Sequence, residues 1–308
     1  MKNLIILATL SCLLLAAFLL IRPRLGEIGR PTSPNTSGRS RRGVPDGAAT
    51  TTTAPTGTAP TGTSTGAAAR TSAPTEEDAA RAGVKYLEVT ERLILDLVNE
   101  QRRKQDGALK DVVWEDVLRN TARRHCDDML LRNYFDHVNP DRMAPADRIA
   151  LTHRRLVGLT GENIFKLSGY AGDERKLAAE IMKGWMESPG HRENILRREY
   201  THLGVGVSVK DGEVTATQNF AYVRALLNQP LPQATRDGET LQLATDPAAE
   251  KYDYWLSDKG TRDGNALDIG DAIVRVVPGT YKLRFYFREP GKNPTGYTIY
   301  TGPQVEVK

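Results

Sequence analysis

The sequence predicts an α+β protein. A helical and antiparallel-sheet unit fills the middle of the chain, a smaller all-β unit follows it, and a non-globular approach precedes it. Three observations carry this reading. Apolar residues recur at helical spacing from about Val84 to Trp185. Two apolar runs flanking Asp211-Gly212 then read as a hairpin. Beyond about Gln233 the pattern becomes short strands broken by turn residues. Helices grouped before strands, rather than alternating with them, favour helices segregated onto an antiparallel sheet.

The chain has 308 residues, which is long for one ordinary domain and suggests two with tails. Its hydrophobic fraction of 39% is low for a globular chain of that size, so part of it stays out of any core. A net charge of +4 makes no case for nucleic acid as a partner. The cysteines are Cys12 and Cys126, and Cys12 sits in an apolar run, so no disulfide framework is expected. Cys126 falls on the buried side of a helical pattern and reads as a small core residue.

Residues 4–21 are apolar but for Thr9, Ser11 and Cys12, close to the length that crosses a bilayer. No small-x-small cleavage site precedes the polar flank, so residues 1–21 are expected to act as a retained membrane anchor, with secretion the outcome if they are cleaved. Residues 22–83 form a linker of Thr, Ala, Pro, Gly and Ser, including two Ala-Pro-Thr-Gly-Thr units. Such a composition cannot offset its ordering entropy and behaves as a tether. Asn35-Thr-Ser is a glycosylation match of the kind that arises by chance in such a tether.

The folded unit is expected over 84–225. Tyr86, Leu87, Leu93, Ile94, Leu97 and Val98 make a first helix, stopped by Asp106-Gly107. A second helix runs from about Trp114 to Leu131 with Leu118, Ala122, Cys126 and Met129 on one face. Tyr134-Phe-Asp-His137-Val-Asn-Pro140 is a loop, and a short helix with Pro145 in its first turn leads to Gly161-Glu162-Asn163-Ile164. The helix over 173–185 opens on Asp173 and Glu174, as its dipole favours, and stops before Pro189. Ser188-Pro189-Gly190-His191 fits a type II turn. A short helical turn at 194–197 precedes strands at 202–210 and 213–222. After a linker at 226–232, residues 233–308 read as a small β-sandwich-like unit, with 273–277 and 281–288 as a hairpin about Pro278-Gly279. Asp258, Asp263, Asp268 and Asp271 lack calcium-loop spacing and read as solvated acids.

His137 and His191 lie in loop or corner positions with carboxylates close by, which makes them site candidates. Two neutral imidazoles with one or two carboxylates supply the donors zinc takes. Without metal, a histidine beside a glutamate can relay protons near neutral pH. Ser188 and His191 lack an acid placed behind the histidine, so no triad is assigned, and no catalytic residue is named. His125, His153 and His202 read as incidental.

The loop Tyr-Phe-Asp-His-Val-Asn-Pro, the Gly-Glu-Asn-Ile motif, the helix ending Gly-Trp-Met-Glu-Ser-Pro-Gly-His-Arg-Glu-Asn-Ile-Leu, and Leu-Gly-Val-Gly-Val with Gln218-Asn219-Phe220 resemble the CAP superfamily. That group comprises cysteine-rich secretory proteins, antigen 5 and pathogenesis-related 1 proteins, and the likeness is to its cysteine-poor bacterial branch. The resemblance implies a three-layer α-β-α sandwich and a cleft of two histidines and two acids, which binds a divalent metal such as zinc in some members. His137, Glu162 and His191 match three cleft positions, with His137 and His191 as metal ligands. The fourth acid departs from the pattern: Ser188 stands where it is expected, with Glu187 one residue short and Glu193 as a fallback. The function expected is a membrane-tethered extracytoplasmic protein binding lipid, peptide or glycan in this cleft, the alternative being a metal-assisted hydrolase of peptide or cell-wall polymer.

Overall fold

A computed structural model describes residues 73–105, 109–256, 261–273, 277–289 and 296–308. The expected anchor at 1–21 and most of the expected linker at 22–83, with Cys12 and Asn35, lie outside the described residues. Among the described residues no helix is long and apolar enough to cross a membrane.

The first folded element is helix α1 (Glu76–Arg81), inside the stretch expected to be linker. Its amino end is closed by a capping box in which Thr75 and Asp78 satisfy each other's backbone groups. Strand β1 (Lys85–Tyr86), α2 (Glu88–Arg103), β2 (Val113–Trp114) and α3 (Asp116–Leu131) follow. Next come α4 (Pro145–Thr152), β3 (Leu156–Ser168), α5 (Glu174–Glu187) and α6 (Pro189–Leu196), then the hairpin of β4 (His202–Lys210) and β5 (Glu213–Leu227). Asp211 and Gly212 take φ of 51° and 78°, the left-handed pair that a two-residue hairpin turn requires.

Strand β5 is central, antiparallel to β3 on one side and β4 on the other. Its residues alternate between two helical layers. Val214, Ala216 and Phe220 pack with Ile94, Val98, Ile181 and Trp185 from α2 and α5. Thr215 and Thr217 bond Cys126 of α3, and Ala221 packs with Leu118 and Ile149 of α3 and α4. The Leu-Gly-Val-Gly-Val run owes its glycines to this packing, because a Cβ at Gly206 would stand 2.3 Å from the backbone nitrogen of Arg123.

Two local readings are corrected. Helix α5 stops at Glu187 as expected, but residues 188–191 do not form a type II turn; Pro189 opens α6 instead. A proline suits the first helical position because its missing N–H has no intrahelical acceptor there, and Ser188 supplies the extended residue that separates the two helices. The 158–164 stretch, read only as a motif, is the centre of a 13-residue strand buried by contacts that no alternation in its own sequence announces.

The carboxy-terminal strands are β6 (Ala234–Thr235), β7 (Thr240–Gln242), β8 (Thr245–Asp246), β9 (Lys251–Leu256), β10 (Thr261–Asp268), β11 (Asp271–Ile273), β12 (Gly279–Phe287) and β13 (Thr298–Val307). Of the expected hairpin of 273–277 with 281–288, residues 274–276 lie outside the described residues, and the second strand is already paired: β12 is bonded to β9 on one edge and β13 on the other, while β11 pairs with β7. With both edges of β12 occupied, no edge remains for the preceding strand. Strand β13 meets β3 at Thr301 and Gly158, so the antiparallel sheet runs on from the first half into these strands. Val157, Ala225 and Leu227 share a core with Tyr281, Phe285 and Tyr300.

Candidate functional site

Glu162 sits in the middle of β3 opposite Asn219, where its carboxylate is almost wholly buried. Burying a carboxylate is costly unless its charge and lone pairs are matched. Two partners do this. His137 Nδ1 lies 2.9 Å from Oε1, and Arg148 Nη2 donates to Oε2 at 2.6 Å. Arg148 Nη1 also donates to the carbonyls of His137 and Met143, each at 2.8 Å. One guanidinium on α4 thereby holds the 137–143 loop against β3, and through that loop sets the position of His137.

His125 is the third group at this carboxylate. Its side chain is fully buried, with Nε2 3.8 Å from Glu162 Oε1 and 3.1 Å from the carbonyl of Asp136. A carbonyl only accepts, so Nε2 carries the hydrogen and a neutral ring leaves Nδ1 bare. Burial pushes its pKa down to about 4, which keeps the ring neutral at physiological pH. Tyr134 closes the network, its hydroxyl donating to Asp128 at 2.7 Å and lying 3.4 Å from His125 Nδ1.

His137 behaves differently. Its side chain is 45% exposed, and its hydrogen bond to the Glu162 carboxylate raises its pKa above the ordinary value. With Nδ1 engaged, Nε2 is the nitrogen left for a ligand or water. His191, in the first turn of α6, has its pKa lowered, first by burial and then by the charge of His137. The Gly-Glu-Asn motif fixes that corner. Asn163 Nδ2 donates to the His191 carbonyl at 3.1 Å and to Gln218 Oε1 at 3.0 Å, while Asn194 Nδ2 bonds Asn163 Oδ1 at 2.9 Å. Gly161 is needed because a Cβ there would stand 2.2 Å from the Tyr200 hydroxyl.

The structure sets His137 on the Glu162 carboxylate and holds the backbone of His191 to Asn163, the next residue along β3. Glu187 is exposed on α5 with Lys183 at 3.8 Å, and Glu193 is exposed on α6. His125 and Arg148 are the residues that sequence reading passed over. Leu118, Ala122, His125 and Met129 recur at helical spacing, so a polar ring on the apolar face of α3 was the available signal. His153 and His202 lie elsewhere: His153 Nδ1 accepts from the Leu156 amide, and His202 pairs with Thr201.

Among the described residues no group of three His, Cys, Asp or Glu side chains converges to hold a metal ion. Both Glu162 oxygens are already taken, one of them by a guanidinium whose charge would oppose a dication. Of the four loop aspartates, the described side chain of Asp268 is exposed with Lys251 at 3.8 Å, and those of Asp258, Asp263 and Asp271 lie outside the described residues.

Residues 95–220 match the CAP family, described as the cysteine-rich secretory protein family. The chain is 37% identical over 134 residues to the uncharacterized protein YkwD of Bacillus subtilis (strain 168), covering 42% of this chain and 46% of that protein. It is 37% identical over 136 residues to the uncharacterized membrane protein YlbC of the same organism, covering 44% of this chain and 35% of that protein. It therefore spans less than half the length of either relative. An extracellular protein containing an SCP domain from Bacillus anthracis str. Ames is 34% identical, with 44% of this chain and 40% of that chain covered at a TM-score of 0.36. The four motifs fall in order along the antiparallel sheet and the helices that pack on it, and residues 95–220 are the part of the chain that is similar to bacterial proteins of the CAP superfamily.

Proposed function

We propose that the chain is an extracytoplasmic CAP protein, held at a membrane by residues 1–21, whose His137 corner binds a ligand with an anionic or acceptor group and an apolar portion. The observation that carries this is the His137–Glu162 contact at 2.9 Å, with Arg148 behind it and a half-exposed imidazole in front. A protonated His137 offers Nε2–H to the polar group. Phe135 and Val138, each 46% exposed beside it, offer the apolar surface. The similarity to a Bacillus membrane protein supports the location.

The test follows the His137 ring by NMR while octanoate, an N-acetyl tripeptide amide and a chitin oligomer are added in turn. One of the three should shift the ring resonances and bind saturably, and His137→Ala with His191→Ala should abolish that binding. Binding that survives the double substitution overturns the reading. Tight zinc binding lost in the same variant would overturn the metal-free site. The hydrolase alternative has one observation in its favour, a histidine oriented by a buried carboxylate as a general base needs. It requires cleavage of peptide or cell-wall polymer that disappears in His137→Ala.

A further inference from the structure

A second concavity lies on the other side of Arg148. A cavity of about 520 Å³ between α3 and α4 is walled by Arg124, His125, Met143, Arg148 and Leu151. Another of about 540 Å³ is walled by Arg142, Asp147, Thr280, Lys282 and Gln304, bringing in the start of β12 and the second half of β13. Asp141, Met143 and Leu151 line both, so the two cavities lie side by side along a surface groove, the first against α3 and α4 and the second against the carboxy-terminal strands.

The charges along this groove are unevenly satisfied. Arg132 takes both Asp128 and Asp141, at 2.6 and 2.9 Å, and Lys282 takes Asp147. Arg124 and Arg142 are exposed, and among the described residues neither has an ion-pair partner. Arg142 also holds a left-handed backbone, φ 62°, in a loop tied by Asn139, whose amide and side-chain oxygen both bond Met143. A non-glycine residue in that region is kept there at a cost, and such sites cluster at binding surfaces. The buried Nε of Arg148, in the wall of the first cavity, has no hydrogen-bond partner.

We infer that this groove binds an extended acidic peptide segment, separate from the His137 corner. Met143 and Leu151 line both cavities, Arg124 lines one and Arg142 the other, a mixture of apolar and cationic groups that suits a strand whose side chains alternate apolar and acidic. Among the described residues no Phe, Tyr or Trp lines either cavity, so a sugar face lacks the broad apolar ring it stacks on.

The experiment is fluorescence anisotropy on the full-length protein with a fluorescein-labelled peptide of about eight residues alternating Glu and Leu. Saturable binding is expected, weakening as salt rises. Arg124→Gln and Arg142→Gly should each weaken it about fivefold. Glycine accepts the left-handed backbone, so the second variant should keep its thermal midpoint. Thr280→Trp should block the long peptide and spare a four-residue version that reaches only the first cavity. His137→Ala with His191→Ala should leave the affinity unchanged, which separates this site from the proposed ligand corner. Absence of saturable binding overturns the inference, as does equal affinity for a Lys-Leu peptide or unchanged affinity in both arginine variants. Displacement of the peptide by a chitin oligomer from the same groove would assign it to glycan instead.

Discussion

Arg148 is the residue on which the His137 corner depends, because it alone meets the buried Glu162 carboxylate, the His137 carbonyl and the Met143 carbonyl together. Arg148→Met should lower stability by about 3 to 5 kcal/mol in urea unfolding, since it leaves a buried carboxylate uncompensated. Arg148→Lys should not restore it, because a point charge cannot fork to three acceptors. Glu162→Gln should bring the His137 pKa, read by NMR, down toward its ordinary value of 6.5. The histidines pull stability in opposite directions. His125 and His153 have folded pKa values lowered to about 4 by burial, so the unfolded chain binds more protons than the folded one between about 6.5 and 4. Their contribution is complete above about 6.5 and is lost as pH falls to about 4. His137, raised, contributes below 6.5 and loses that as pH climbs through its folded value. Unfolding free energies across this range should fall toward acid, and His125→Asn should flatten but not abolish the slope, because His153 remains. An unchanged slope would remove His125 from the account. His137, Glu162 and His191 were legible as residues because their motifs are local in sequence. Arg148 and His125 were not, since nothing local shows that α3, α4 and β3 converge on one carboxylate.

Among the elements, the corner between α5 and α6 sets His191. Its support is the asparagine ladder from β3, and the closeness of Tyr200 to Gly161 shows how tightly the pieces fit. Gly161→Ala should destabilise by about 1 to 3 kcal/mol through overpacking. Tyr200→Phe in the same chain should recover part of this loss, by removing the hydroxyl that stands 2.2 Å from the added methyl. No recovery in a double-mutant cycle would place the strain elsewhere. Helix positions followed from apolar periodicity within a few residues, as α3 and α5 show. The turn expected at 188–191 became a helix start because proline satisfies both conformations locally, and only packing of Ile195 into the α2–α5 core selects one.

At the scale of the molecule, the carboxy-terminal strands share their core with the CAP sheet rather than sitting beside it. Val157, Ala225 and Leu227 are buried against β12 and β13, and Arg154 donates to the carbonyl of Gln304 at 2.6 Å. Truncation after residue 227 should therefore lower the thermal midpoint and increase binding of a hydrophobic dye, because it exposes that apolar surface. A truncated chain as stable as the whole would show the two parts to be independent. The sequence by itself determined the helix and strand periods, the two-residue hairpin turn and the four motifs, all of which are written in neighbouring residues. Tertiary structure alone decided which strand edges meet, that β9 and β13 lie beside β12, and that a histidine of α3 and an arginine of α4 stand behind Glu162. Edge pairing and charge burial are settled by contacts between residues far apart in the chain, and a local pattern carries no record of them.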